Sequence, residues 1–525
     1  SGVAAGDINN DGYPDILLLS GLGNKLYLND KKGRFTDVTE QTGLGYTRAE
    51  DGHPGEPRQP LIADLDNDGW QDIVITYVDD PHRVYRNKAD GSFEDVTTRA
   101  GLGGKGLVGG PATVFDYDND GLLDIYIAYF GDYIHGILPT LSRVNENGLP
   151  NVLYKNLGDF RFRQVAAGVE DAGWGQALTH TDFNLDNLQD LIVGNDFGSN
   201  VYYQNTGDGK FRDVTAQLGV DKPSYTMNIS LADLNADQVP DIYISNIVTM
   251  NKDEKYVLPN EDTQMKFNLE KLAQLRVVEA NDLFISARSG DGKISYSLNR
   301  ELVGRGYNST GWSWGASFFD VDKDGDDDLY VLNGMNEYNL YSSKNSYADA
   351  GIESAQNTYL PVDTKESNVF FINSNGRLNN MSEQSGLNLL GNSRSAAYLD
   401  YDNDGDLDII LNNYHQQSHF YQNRADRLQN HWIKLRLVGD PSQQVNRDAI
   451  GAKVIITLSD GVKIWREIHG SGAYLTVHPK TIHAGLGKLE RADVHITWPG
   501  GKQQNVRGLE ANTTHTIEMS DEDAP

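Results

Sequence analysis

The chain has 525 residues, with 45 Lys and Arg against 75 Asp and Glu, a formal charge of −30, and no Cys. The lack of Cys excludes disulfides, thiolate metal sites and Cys nucleophiles, and the acidity argues against a nucleic-acid partner, whose phosphates demand a basic face. No run of about 18 apolar residues occurs, so no segment reads as a membrane-spanning helix, and the length leaves room for two or more cores.

From the start the chain repeats one unit. A short strand rich in small residues, 2–6, leads into Asp7, Asn9, Asp11 and Asp15, and an apolar strand follows at once. The pattern, D-x-[DN]-x-D-x-x-x-D, returns at Asp64, Asp66, Asp68, Asp72 and at Asp116, Asp118, Asp120, Asp124. It returns again at Asp182, Asn184, Asp186, Asp190 and at Asp233, Asn235, Asp237, Asp241. The last two copies are Asp320, Asp322, Asp324, Asp328 and Asp400, Asp402, Asp404, Asp408. Carboxylates this close repel one another unless a cation sits among them, and hard oxygen ligands at alternate positions of a sharp turn suit Ca²⁺. Side chains at positions one, three, five and nine are the expected ligands. The carbonyl of position seven completes the set: Tyr13, Trp70, Leu122, Leu188, Val239, Asp326 and Asp406. A Gly at position six allows the turn, but Asn187 and Gln238 replace it in two copies, and Gln adopts positive φ poorly. The Asp233 loop is therefore expected to be the weakest or most distorted.

These loops are not EF-hands. An EF-hand needs a bidentate Glu at position 12 between two helices. Here position 12 is apolar (Leu18, Ile75, Ile127, Val193, Ile244, Val331, Leu411) and the flanks are β-rich. Seven Ca²⁺ would bring the formal charge from −30 to −16, so most of the acidity reads as ligand. Loops of this kind fill at the calcium levels found outside the cytosol, which points to a secreted or cell-surface protein.

Motif starts lie 51 to 87 residues apart. Each unit offers four strands, so the repeat reads as a propeller. The third strands carry Tyr-x-Asn, as at Tyr27 and Asn29, Tyr85 and Asn87, Tyr154 and Asn156. The fourth carry Phe-x-Asp-Val-Thr, as at 35–39 and 93–97, with aromatics expected between blades. The fifth unit holds an insertion, about 247–282, whose Met265, Leu269, Leu272 and Leu275 have helical spacing. It reads as a helix on a blade rim or as a lid over the axis. The stretches 131–150 and 336–368 are long connectors.

Thirteen residues after each motif start come Ser20, Tyr77, Tyr129, Asn195, Asn246, Asn333 and Asn413. Two readings stand: a sugar-binding ring on one face, joined by Trp174, Trp312, Trp314, His180, Arg394 and His415, or Asn residues that cap the turns after each strand. The seventh unit lacks a fourth strand. An upstream segment, residues near 432–435, or nothing fills that place, and an open edge invites self-association.

The repeats resemble the FG-GAP/VCBS family over about residues 1–428. The resemblance implies an all-β, seven-bladed, integrin-α-like propeller with calcium loops. From about Asn430 the loops stop. The runs 446–452, 466–475, 483–487 and 498–501 resemble, in order, the ASPIC/UnbV domain of bacterial proteins and of the cartilage acidic protein 1 family. That places a small β-sandwich-like domain at 429–525. No hydrolase elbow, Walker loop, dinucleotide fingerprint or His-Glu-x-x-His helix is present. The expected function is an extracellular calcium-binding scaffold or adhesion protein whose partner is a glycan or a surface protein. The alternatives are a sugar-active lyase or dehydratase built on Tyr129, His180, Arg394 and His415, or a structural subunit of a surface polymer.

Overall fold

Each acidic loop closes a β-hairpin, because its last Asp pairs with the residue just before the loop. The pairs are Gly6 with Asp15, Ala63 with Asp72, Phe115 with Asp124, Thr181 with Asp190, Ala232 with Asp241, Phe319 with Asp328 and Leu399 with Asp408. A computed structural model describes residues 2–48, 52, 55–140, 142, 144–247, 280–299, 310–334 and 366–520. The predicted insertion helix and most of the 336–368 connector lie outside the described residues.

Seven sheets form the blades of a β-propeller. Their inner strands are Val3–Gly6, Glu56–Ala63, Gly109–Phe115, Gly175–Thr181, Thr226–Ala232, Ser313–Phe319 and Ser393–Leu399. These are buried almost throughout, and small residues allow the packing: a Cβ on Gly110 would fall 2.7 Å from the Ala128 carbonyl. Each blade runs inner to outer in chain order, and the inner strand of blade seven packs beside that of blade one. Blades two to six have four strands each. Among the described residues blade seven has three, ending at His419–Tyr421.

Two short two-stranded pairs aside, the remaining strands make two packed sheets. His431–Val438 lies between Ile482–Gly487 and the parallel Thr513–Glu518. The other sheet runs Lys463–Glu467, Lys453–Leu458, Arg491–Thr497 and Gln503–Glu510. Ile433, Leu435, Val454, Ile456, Val494 and Ile517 share one core between them. Residues 432–435 thus belong here and do not fill blade seven, one of the three options the sequence left open.

One excursion from this C-terminal part enters the propeller. Thr476 and Val477 pair in parallel with Val3 and Ala4, and the Leu475 carbonyl accepts from the Val3 amide at 3.0 Å. Ser471, Ala473, Tyr474 and Leu475 lie among the inner strands of blades two to five. Gly470 is obligatory there, since a Cβ would meet the Val114 carbonyl at 1.8 Å. The Tyr474 ring packs edge-on against Trp314, with centroids 5.4 Å apart. The axis is plugged by the chain's own C-terminal part.

Candidate metal centres

All seven loops share one hydrogen-bond frame. The amide of position five donates to Oδ1 of position one at 2.9–3.1 Å. The amide of position six donates to Oδ2 of the same Asp at 2.8–3.0 Å. The amide of position seven donates to Oδ1 of position five at 2.9–3.0 Å. Oδ1 of position nine accepts a third-strand amide at 2.7–2.9 Å. The carboxylates are therefore fixed by backbone before any ion is considered.

In four loops three carboxylates bring oxygens within 4.8 Å of one another: Asp64, Asp66, Asp72; Asp116, Asp118, Asp124; Asp320, Asp322, Asp328; and Asp400, Asp402, Asp404. In the other three, position three is Asn9, Asn184 or Asn235, and each donates to the Asp at position five at 2.9–3.2 Å. The donor chemistry fits a hard cation. Oδ1 of Asp118, Asp322 and Asp402 is the same atom in three loops, and in each it is buried without a protein partner, as is Oδ2 of Asp190. Burial first, and repulsion from neighbouring carboxylates second, push Asp72 up to about 9, Asp408 to about 8, and Asp15, Asp64, Asp116, Asp241 and Asp320 to about 7. Asp124, Asp190 and Asp328 are raised well above the ordinary value for the same reasons. Carboxylates in that state take protons near neutral pH, and a cation among them removes the penalty.

The Asp233 loop is not distorted, contrary to expectation. Gln238 sits at φ 66° and Ala236 at φ 58°, within the same frame as the glycine loops. Three backbone-to-carboxylate bonds over-determine the turn, so the strain is held rather than relieved. A local difference remains: Ser286 replaces the third-strand Asn, and its hydroxyl donates to Asp237 at 3.1 Å.

The loops are also tied to their neighbours. The third-strand Asn reaches the position-two carbonyl of the preceding blade: Asn87 to Ile8, Asn156 to Leu65, Asn205 to Tyr117 and Asn423 to Val321, at 2.7–3.0 Å. Asn29 does so to Tyr401 at 2.7 Å and closes the ring. Asn10, Asn67 and Asn403 at position four donate to the position-six carbonyl of the next loop at 2.8–3.0 Å. The recurrence of Tyr-x-Asn was the available signal, but it reads as a strand end.

The C-terminal part covers this side of the disc. Lys434 Nζ bonds Asp400 Oδ2 at 2.7 Å, Lys453 bonds Asp182 Oδ2, the Gly485 amide donates to Asp320 Oδ2 at 2.8 Å, and Asp448 accepts from the Asp64 amide at 2.8 Å. A cavity of about 850 Å³ lies between the two parts, lined in part by Asp7, Asp64, Asp320 and Asp400.

The predicted ring at the second-strand ends is buried, apart from Ser20. Asn195 donates to the Ser199 carbonyl at 2.9 Å, Asn246 to Ala280 at 3.0 Å, Asn333 to Ser367 at 2.8 Å and Asn413 to Gln417 at 2.7 Å. The turn-capping reading therefore holds and the sugar-binding ring does not. Nor does the structure gather the catalytic candidates. Tyr129 is buried against His82, with its hydroxyl 2.9 Å from Nε2. His180 is fully buried, pushed down to about 3, and accepts the Gly470 amide. Arg394 is buried over Trp314, and His415 stacks on Tyr414. Trp174 is buried with its Nε1 on Asn147, and Trp312 is buried as well.

The model described as "FG-GAP-like repeat" matches residues 7–56, 64–127 and 182–244, and the model "ASPIC and UnbV" matches 442–524. The chain carries FG-GAP-like repeats and an ASPIC and UnbV domain. It is similar to cartilage acidic protein 1 of Mus musculus, 24% identical over 98% of this chain and 73% of the relative. The Homo sapiens protein of that name is also 24% identical, over 98% and 71%. Among solved structures, the V. cholerae biofilm matrix protein Bap1 aligns with TM-score 0.30 and 12% identity, over 97% of this chain and 67% of that one. AofleA from Arthrobotrys oligospora aligns with TM-score 0.33 and 10% identity, over 72% and 84%. Among the described residues no helix is long and apolar enough to cross a membrane.

Proposed function

We propose that the chain is an extracellular binding or scaffold protein whose propeller, over residues 1–428, is stapled by up to seven Ca²⁺ and braced by the ASPIC/UnbV-like part at 429–525. The observation that carries this reading is the common loop frame, with buried carboxylate oxygens left unpartnered at one equivalent atom. Extracellular calcium suits such loops, with dissociation constants of about 0.1–1 mM. The relatives' name, cartilage acidic protein 1, fits a matrix setting. The partner is a glycan or a surface protein, met on the face of the disc away from the loops, because the C-terminal part occupies the loop side. Equilibrium dialysis with calcium measurement, then glycan and surface-protein arrays with and without chelator, test it. Fewer than one bound ion per chain at 2 mM calcium, or partner binding that is identical in chelator, overturns it.

A second reading adds self-association through blade seven. Its outer strand His419–Tyr421 has no fourth strand beside it among the described residues, and Phe420 is 39% exposed. Such an edge is a template for a strand of another chain. Sedimentation that stays monomeric at high concentration removes this reading.

A further inference from the structure

The seven loops have the same backbone but different charged neighbours. In blade three, Lys155 reaches across from the third strand to two predicted ligands at once, Asp118 Oδ2 and, at 3.0 Å, Asp120 Oδ2. In blade two, Arg86 holds the same place: Nε is 3.2 Å from Asp66 and Nη2 is 3.3 Å from Asp68. Both residues immediately precede the recurring Asn of their strand, Asn87 and Asn156. The equivalent residue is Leu28, Gln204, Ile285, Ile372 or Gln422 in the other blades, and none of these carries charge.

The lysines from the C-terminal part act at a different place. Lys434 and Lys453 each bond a single carboxylate of their loop, at Oδ2 of position one, which also accepts the position-six amide. Arg86 and Lys155 instead each bridge two carboxylates, at positions three and five, and position three belongs to all four three-carboxylate clusters. A resident cation there neutralises the same carboxylates that would bind a divalent ion and repels that ion at short range. It also does part of the ion's work, since it holds two acidic side chains together when no metal is bound.

We propose that Arg86 and Lys155 are built-in competitors that divide the loops into two classes. Blades two and three bind Ca²⁺ weakly and keep their shape without it, while the three-carboxylate loops of blades six and seven bind tightly and depend on it. This rests on the calcium reading above and deepens it. The consequence is a graded response: the tight loops stay filled when calcium falls, and one arc of the disc exchanges its ions.

Calorimetric titration of the chelator-stripped full chain with calcium tests this, paired with melting of the stripped protein. Lys155→Met keeps the aliphatic stem, and Lys155→Gln is the alternative should Met fold poorly. Either is expected to tighten one weak site about tenfold while lowering the metal-free melting temperature. The reciprocal variant Gln422→Lys, at an exposed position of blade seven, is expected to weaken one tight site about tenfold. Lys25→Met, which breaks an ion pair with Asp37 outside the loops, leaves the isotherm unchanged. Wild-type calcium binding with isotherms indifferent to Lys155→Met and Gln422→Lys overturns the competitor role alone. A wild type that binds no calcium overturns this proposal together with the calcium reading.

Discussion

Stripping divalent ions is the perturbation with the largest expected effect, and its size follows from the loops. Four loops present three converging carboxylates. A ligand that binds only the folded state stabilises it by RT ln(1 + [L]/Kd). At about 10 mM calcium, the two loops with no cation bridging positions three and five, at Kd about 0.1 mM, contribute about 2.7 kcal/mol each, and the two with one, at about 1 mM, about 1.4 kcal/mol each. The total is about 8 kcal/mol. Unfolding entropy near 2.1 cal/mol/K per residue is about 1.1 kcal/mol/K for a chain of this length, so the midpoint should fall by about 7 °C. Scanning calorimetry in 10 mM calcium and in chelator measures the difference, with re-addition of calcium as the check on specificity. A shift below about 2 °C would refute the claim that the ions staple the disc, however many bind.

Acidification should move the two forms in opposite directions. The stripped protein holds Asp15, Asp64, Asp116, Asp241 and Asp320 at about 7 and Asp408 at about 8, all above the unfolded value. The folded state thus binds more protons, and stability is lost as pH rises through those values. Its melting temperature should rise from pH 8.5 to 5.5, while that of the calcium-loaded protein falls because protons displace the ion; parallel profiles would contradict this. Gly405→Ala sets a Cβ 1.8 Å from Trp432 Nε1 at φ 89°, and urea denaturation should show a loss of about 3 kcal/mol. Asn156→Ala removes bonds to the Leu65 and Leu123 carbonyls and from the Gly158 amide. A loss of about 2–3 kcal/mol is expected by the same assay, and a loss under 0.5 kcal/mol would mean that the inter-blade tie is idle.

The blades were legible because their determinants are local. Asp400 to Asp408 alone states the turn, its ligand spacing and the strand that follows, and small inner-strand residues such as Ala396 and Ala397 announce a crowded axis. What stayed hidden depends on distant partners. Asn205 ends a strand in the sequence, yet its amide works on Tyr117 a blade away. Thr476 and Val477 pair with residues more than 470 positions earlier through only two rungs, too short a strand to show periodicity. Trp432–Leu435 alternates like a blade edge, but its partner in the parallel Thr513–Glu518 lies near the chain end. The ring from Ser20 to Asn413 was ambiguous because an Asn amide serves a sugar or a turn equally well, and only burial separates the two.

The pairing of Val3 and Ala4 with Thr476 and Val477 carries a consequence for biosynthesis. The strand Val3–Gly6 waits for residues some 473 positions later before its inner side is covered. Fragments cut short before residue 470 would present a bare, apolar hub, ready to capture other nascent chains. Quality control over truncated products is thus written into the connectivity, since only a molecule translated past residue 477 can seal its own centre.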